Sequence, residues 1–298
     1  MNASPRAYVD RPITDLSAAS QAASTAARIW GLDAPELFRA GMNAIFAAGP
    51  VVLRVSAPTA PAEVSLELAR FWQQSGVSVP SAARDDVVLV DDLSVTAWER
   101  IHDEGTPIDW TLVGALVRRV HETDRGSLPV SVPLPSPTAF PWWDFETLLE
   151  RAGPALDDAA QRGLRSAIDR HLGWRVLDDV VVCHGDVHPG NVLMRADGPV
   201  LLDWDLLCSA PAGWDHAPML TWAERWGGRP GTYEAFARGY GRSLRDDPVA
   251  LALAELRLVA ATLMRVVASM SDPLAEPEAQ RRLRYWRGDA DAPPWAAQ

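Results

Sequence analysis

The chain contains no lysine, and all 28 of its basic side chains are arginine. That absence excludes a Walker A lysine, a Schiff-base lysine and a lysine general base together. It fits a codon bias that the abundance of alanine also reflects, so no arginine gains a special role merely by not being lysine. Cysteine is almost as scarce: Cys183 and Cys208 are too few for a disulfide framework or a cysteine-built zinc site, and a reducing, cytoplasmic setting is expected. Positive charge is in deficit, with a formal net charge of -11. A surface that tracks nucleic-acid phosphates needs clustered cations, so no nucleic-acid partner is expected. The same acidity suits a cationic small substrate, and it equally suits plain solubility. No long apolar run is uninterrupted. Leu251 to Met270 comes nearest, but Glu255, Arg257 and Arg265 break it, so it reads as a packed amphipathic helix and no membrane partner is expected. The opening MNASPRAYVDRPITDLS lacks the basic start and apolar core of a secretory signal. Repeats and low-complexity blocks are missing too. What remains, 298 residues with 48% apolar and 22% charged side chains, is an ordinary globular composition with length for two lobes.

The informative stretch runs from Val180 to Asp205, VVVCHGDVHPGNVLMRADGPVLLDWD. Its apolar runs read as strands, and between and after them stand Asp186, Asn191 five residues on, and Asp203. Such a layout brings three oxygen-rich side chains to one place, which suits magnesium and a phosphate donor. In the kinase template H-R-D-x-x-x-x-N the Asp receives the substrate hydroxyl's proton and the Asn holds Mg²⁺, while a later Asp binds metal that bridges the donor phosphates. His184-Gly185-Asp186 and Asn191 reproduce that spacing, and Asp203 follows where the second ligand belongs. A plainer reading, in which Asp and Asn only satisfy loop amides, explains one such motif but not two in order.

HGDVHPGN followed by LLDWD resembles the aminoglycoside phosphotransferase family, whose relatives include the choline, homoserine and methylthioribose kinases, over roughly Phe38 to Tyr240. The resemblance implies the α+β, bilobal protein-kinase-like fold: a small N-terminal lobe with an antiparallel sheet, placed at 1–92 with an N-terminal helix, and a mostly helical C-terminal lobe at 93–298. It implies Asp186 as catalytic base, Asn191 and Asp203 as Mg²⁺ ligands, ATP or GTP as donor, His184 as a brace of the loop and Asp215 as its support from behind. His188 either donates to a phosphate oxygen or makes a scaffold contact. Asp205 reads more readily as a strand-end acid than as a third metal ligand.

In the first lobe, Asp15 to Trp30 has helical spacing, and FRAGMNAIFAAGPVVLRVS reads as a hairpin around Ala48-Gly49-Pro50. Gly41 and Asn43 fall where the family places its nucleotide-covering loop, and Arg54 where kinases carry the phosphate-pairing lysine. The helix from Pro61 to Ser75 offers Glu67, preferred to Glu63, as the partner of Arg54. The connector whose backbone meets adenine is placed at Asp91 to Leu93. From Trp98 onward the pattern reads as helical, with Leu112, Leu116 and Val120 as a stripe, and Leu128 to Pro141 carries five prolines in an irregular crossing. Acceptor recognition belongs to the helical lobe, where Trp142, Trp143, Trp222, Glu224 and Trp226 could wall a pocket, although most tryptophan is packing.

The sequence thus reads as a phosphotransferase that takes a hydroxyl of an aminoglycoside, amino-sugar or hydroxylated amine as acceptor, acting as monomer or homodimer. A protein kinase, a nucleotidyl transferase and an idle nucleotide-binding module are the rivals. Only eleven residues separate Asp203 from Asp215, which leaves little room for a long activation segment.

Overall fold

The computed structural model describes residues 10–102, 105–171, 173 and 177–296. Residues 1–9, where no secretory signal was expected, lie outside them. Helix α1 (Leu16–Trp30) begins at Asp15, whose carboxylate accepts hydrogen bonds from the Ser17 and Ala18 amides, and stops at Gly31 in the left-handed conformation. Its buried face is alanine alone: Ala19, Ala22, Ala23, Ala26 and Ala27. Those small side chains let the helix lie close against a five-stranded antiparallel sheet of order β1-β2-β3-β5-β4. The strands are β1 (Glu36–Ala40), β2 (Ala44–Ala48), β3 (Val51–Ser56), β4 (Val88–Val90) and β5 (Leu93–Glu99). Ala44, Phe46 and Ala48 alternate inward on β2, as do Val51, Leu53 and Val55 on β3, and with α1 they make a small core.

Two boundaries differ from the sequence reading. Strand β5 pairs with β3 from Ser94 to Glu99, so a division at 92/93 falls inside the β4–β5 hairpin, and Trp98 is a strand residue. Helix α2 (Glu63–Gln74) precedes β4 in the chain but packs elsewhere. Its Val64, Leu68, Ala69 and Trp72 lie in the larger core, together with Val77 and Val79.

That larger core is built by the helices α3 (Trp110–His121), α4 (Phe145–Ala152), α5 (Asp158–Arg170), α6 (Gly213–Arg225), α7 (Thr232–Tyr240), α8 (Pro248–Ser269) and α9 (Glu276–Trp286). Helix α8 covers the apolar stretch anticipated from the sequence; it starts at the Asp247 cap with proline in its first turn, and buries residues around most of its circumference. No helix among the described residues is long and apolar enough to cross a membrane. The Pro-rich crossing folds as short 3₁₀ turns at Pro137–Ala139 and Pro141–Trp143. Two antiparallel strand pairs belong to this larger core: β6 (Val180–Cys183) with β9 (Cys208–Pro211), and β7 (Val192–Arg195) with β8 (Gly198–Leu201). The architecture is α+β and bilobal.

Candidate active site

Strand β6 delivers His184-Gly185-Asp186 to the cleft between the lobes. Gly185 has φ +97, and a side chain there would collide with the Leu206 carbonyl oxygen, so the sharp turn requires glycine. Asp215, fully buried in the first turn of α6, holds the turn from behind: its two oxygens accept from the His184 and Gly185 amides, each at 2.8 Å, and His121 Nε2 lies 3.0 Å away. Burial would raise its pKa, but the bond and charge of His121, then His184 and the Gly185 amide, outweigh that and keep it below the usual range. His121 Nδ1 reaches the Tyr240 hydroxyl at 2.9 Å, which extends the support to α7. The buried His184 ring donates from Nε2 to the Leu202 carbonyl at 2.9 Å and accepts at Nδ1 from the Asp186 amide at 3.2 Å, a pattern only the neutral ring can make.

Asp186 is 31% exposed and engaged on every side by donors. Oδ1 accepts from Arg257 Nη2 at 2.8 Å; Oδ2 accepts from Asn191 Nδ2 at 3.3 Å and faces His188 Nε2 at 3.4 Å. Burial acts to raise its pKa, yet His188, Arg257 and His184 prevail and hold the carboxyl well below the usual carboxylate range. His188 Nδ1 accepts the Gly190 amide at 3.0 Å, leaving Nε2 as the donor toward Asp186. Asn191 also donates to the Asp186 carbonyl at 2.9 Å. Its Nδ2 is thus committed to the loop, while its Oδ1 has no hydrogen-bond partner among the described residues.

Asp203 is exposed, makes no hydrogen bond among the described residues, and holds φ +59, a left-handed conformation uncommon outside glycine and Asn or Asp. Trp204 braces it: the indole packs on Trp72 of α2 at 4.9 Å and on His184 at 4.5 Å between ring centroids. A free amide oxygen and a free carboxylate are hard donors that suit Mg²⁺, which keeps a sparse protein shell and fills it with phosphate and water. The residues present therefore fit the ion.

In the first lobe the Gly41–Asn43 turn joins β1 to β2, and Gly41 itself has open space around it, so glycine is not demanded there. With its amide oxygen turned toward Arg54, Asn43 accepts from Nε at 3.2 Å and from Nη2 at 2.7 Å. Arg54 does not pair with Glu67. Its Nη2 donates instead to Asp10, at 2.9 Å, and to Asp205. Burial would lower the Arg54 pKa, but Asp205, Asp10 and Asp203 together raise it beyond its ordinary value. Glu67 sits on the exposed side of α2, where it accepts from the Ser131 hydroxyl, because Val64, Leu68 and Trp72 turn the opposite side into the large core.

Other expected site residues also fall elsewhere. Asp91 and Asp92 form the β4–β5 turn, and Leu93 starts β5; the chain leaves the sheet for the helical lobe after Glu99, about 20 Å away along a seven-residue strand. Asp91 and Leu93 are therefore not in the connector. Trp143 is buried among Trp142, Phe145 and Trp214 and is core, not pocket wall. Trp222 stacks on His188 at 6.5 Å and on Trp226 at 6.1 Å. Glu224, exposed and about 200° further round the helix than Trp222, turns away from that stack.

The sequence reading missed Arg257, which donates to the Gly185 carbonyl at 2.9 Å as well as to Asp186, and lies 4.9 Å from the Trp214 ring and 5.6 Å from that of Trp142. A charge on the inward side of the most apolar helix, one of three with Glu255 and Arg265, was the available signal.

A five-stranded antiparallel lobe, a helical lobe, and an Asp–Asn turn with a second Asp brought beside it by the Leu202 amide, which donates to the Asn191 carbonyl at 2.9 Å, define the protein-kinase-like class of phosphotransferases. Residues 45–254 match the phosphotransferase enzyme family, and the chain belongs to it. No curated protein sequence matches the chain. Among solved structures it is similar to a spectinomycin phosphotransferase in complex with ADP and spectinomycin (18% identity, 87% of this chain and 90% of that one, TM-score 0.64). It is also similar to an amicoumacin kinase in complex with AMP-PNP, Ca²⁺ and Ami (13% identity, 95% and 98%, TM-score 0.68). A choline/ethanolamine kinase family protein from Mesorhizobium loti is a third (18% identity, 92% and 94%, TM-score 0.60). At these identities the likeness is one of fold.

Proposed function

We propose that the protein is a small-molecule O-phosphotransferase that moves the terminal phosphate of ATP or GTP to a hydroxyl of an amine-bearing acceptor. The observation that carries this reading is Asp186, a partly exposed carboxylate fixed by Arg257, Asn191 and His188 beside the unengaged oxygens of Asn191 and Asp203. Asp186 accepts a hydrogen bond from the acceptor hydroxyl and aligns it with the donor phosphate. A carboxylate this acidic is a weak base, which suits a loose transition state where positioning matters more than early deprotonation. His188 Nε2 is the donor beside it for a phosphate oxygen. Asn191 Oδ1 and Asp203 would hold Mg²⁺, which supplies charge neutralisation for the donor phosphates. Arg54 faces those phosphates with Nη1, which has no partner among the described residues, and the backbone from Glu99 to Ile101 is the segment placed to meet the base. Trp222, stacked on His188, is the platform next to the acceptor. The net charge of -11 and the drug- or amine-directed relatives support a cationic acceptor.

A screen of hydroxylated amines with ATP and GTP, read by nucleoside diphosphate release, tests the reaction. Asp186→Asn should lower turnover by about 10²–10⁴-fold and leave nucleotide affinity nearly unchanged; near-normal turnover would remove Asp186 from its role. Pyrophosphate in place of diphosphate would mean nucleotide transfer. N-acetylating the best acceptor should lower its kcat/KM, and indifference to acetylation would discard the cationic acceptor alone.

A further inference from the structure

Arg54 is gripped by a strap that no part of the catalytic motif announces. The segment Asp10–Ile13 crosses the end of the sheet and is stitched down at three points. The Arg11 amide donates to the Ala57 carbonyl at 2.9 Å, just past β3, and the Ile13 amide donates to the Met42 carbonyl at 3.1 Å, in the β1–β2 turn. The third point is Asp10, only 4% exposed, whose Oδ2 accepts from Arg54 Nη2 at 2.9 Å and from the Asn43 amide at 3.0 Å. Strap, turn and strand thus meet on one guanidinium, and Asp205 reaches it from the other lobe.

We infer that Asp10 is the positioning residue for the phosphate-binding cation, the task that a helix glutamate was expected to perform, and that the strap is part of the nucleotide site. Three observations lead there. Glu67 is engaged elsewhere, exposed on α2 and accepting from the Ser131 hydroxyl, and it makes no ion pair among the described residues. A carboxylate this deeply buried is costly unless paired, and Arg54 is its only ionic partner among the described residues. The pairing is also directional: Asp10, Asp205 and Asn43 occupy Nη2 and Nε, which leaves Nη1 as the donor for an incoming phosphate oxygen. Without Asp10 the strap loses its hold on both Arg54 and Asn43, and the fork regains the freedom that phosphate binding must then remove.

The inference rests on the nucleotide-dependent reading above, and the probes separate the two. Wild-type protein and Asp10→Asn are titrated with ADP and with adenosine in the presence of Mg²⁺, binding being followed by calorimetry. Asp10→Asn should weaken ADP by about tenfold or more while adenosine, which has no phosphate for Arg54, stays within about twofold. Arg54→Ala should weaken ADP too, and adding Asp10→Asn to it should cost nothing further. Equal losses for ADP and adenosine would make the strap mere scaffold, and unchanged or tighter ADP binding would show that Asp10 does not position the cation or competes with phosphate; each result overturns the inference. Should Asp10→Asn fail to fold, Asp10→Ser, which keeps a polar group without the charge, carries the same comparison. Failure of the wild-type protein to bind ADP would sink the nucleotide reading itself, and this inference with it.

Discussion

Arg257 shows how a single side chain can tie a helix to the proposed catalytic carboxylate. Its fork spans the Gly185 carbonyl and Asp186 Oδ1 while the faces of Trp214 and Trp142 pack around it, so the acid of the proposed catalytic turn is held from α8. Hydrogen bonds to charged groups contribute about 1.5–3 kcal/mol, or roughly 10–150-fold in a rate if the bond serves the transition state. Arg257→Met keeps the length and apolar bulk but leaves Asp186 to Asn191 and His188, so kcat should fall within that range while ADP affinity holds. Arg257→Lys should recover only part, because one ammonium cannot span both acceptors in the fork's geometry. Unaltered kcat in the Met variant would reduce Arg257 to packing.

Elements, unlike residues, are legible where their pattern is local. The Asp186–Asn191 spacing, the hairpin around Gly49 and the apolar run of α8 can all be read from neighbours in the chain. Partners of Arg54 cannot, since Asp10 and Asp205 lie 44 and 151 positions away. Strand β5 was hidden for a different reason: Leu93 through Ala97 are all buried, so the alternation that marks a half-exposed strand is missing. In helix α3 the expected stripe holds at Leu116 and Val120 and fails at Leu112. Leu112 is exposed, while Val113, Leu116, Val117 and Val120 face inward, because α7 lies directly on Gly114. A Cβ on Gly114 would collide with the Phe236 carbonyl oxygen, and one on Gly239 with that of Thr111, so the two helices touch backbone to backbone. Gly114→Ala should therefore cost about 1–3 kcal/mol through overpacking, seen as a melting temperature lowered by several degrees. The shift should also reach Tyr240 and, through His121, the catalytic turn; a variant that melts like the parent would mean that the helices part freely.

Over the whole molecule, the two cores are bridged by the Arg54–Asp205 pair, while α2 and the Ser78 carbonyl, which accepts from the Leu201 amide at 3.0 Å, are tied into the larger one. Fully buried histidines make the stability of this assembly depend on pH. Burial, then the charge of His121, and also Arg242, lower the His216 pKa to about 3 against the pull of Asp215; burial lowers that of His184 too. The unfolded chain protonates its histidines near pH 6.5 and the folded one does not, so their contribution is complete above that pH and declines as pH falls toward 3. Asp215, held low, keeps its own contribution until the pH drops through the carboxylate range. Loss of negative charge on approach to the pI of 5.0 works in the opposite sense, so the useful measurement is a difference. His216→Gln, which retains a polar group near the Tyr233 hydroxyl, should show a smaller drop in melting temperature between pH 7 and pH 5 than the parent. Equal drops would exclude His216 as the source.

Arginine at position 54 also decides how the proposed nucleotide site can be found. Acyl-phosphate and aldehyde nucleotide reagents mark kinases when a neutral amine attacks their carbonyl carbon, and a guanidinium stays protonated wherever the fold survives. The side chain that would carry the label in a lysine-bearing relative is inert to them here. Surveys that count active kinases by acylated lysine would pass over this enzyme even at full occupancy with nucleotide. A dicarbonyl reagent, which condenses with guanidinium groups, is the chemistry that could report on it, provided that it can displace two carboxylates first.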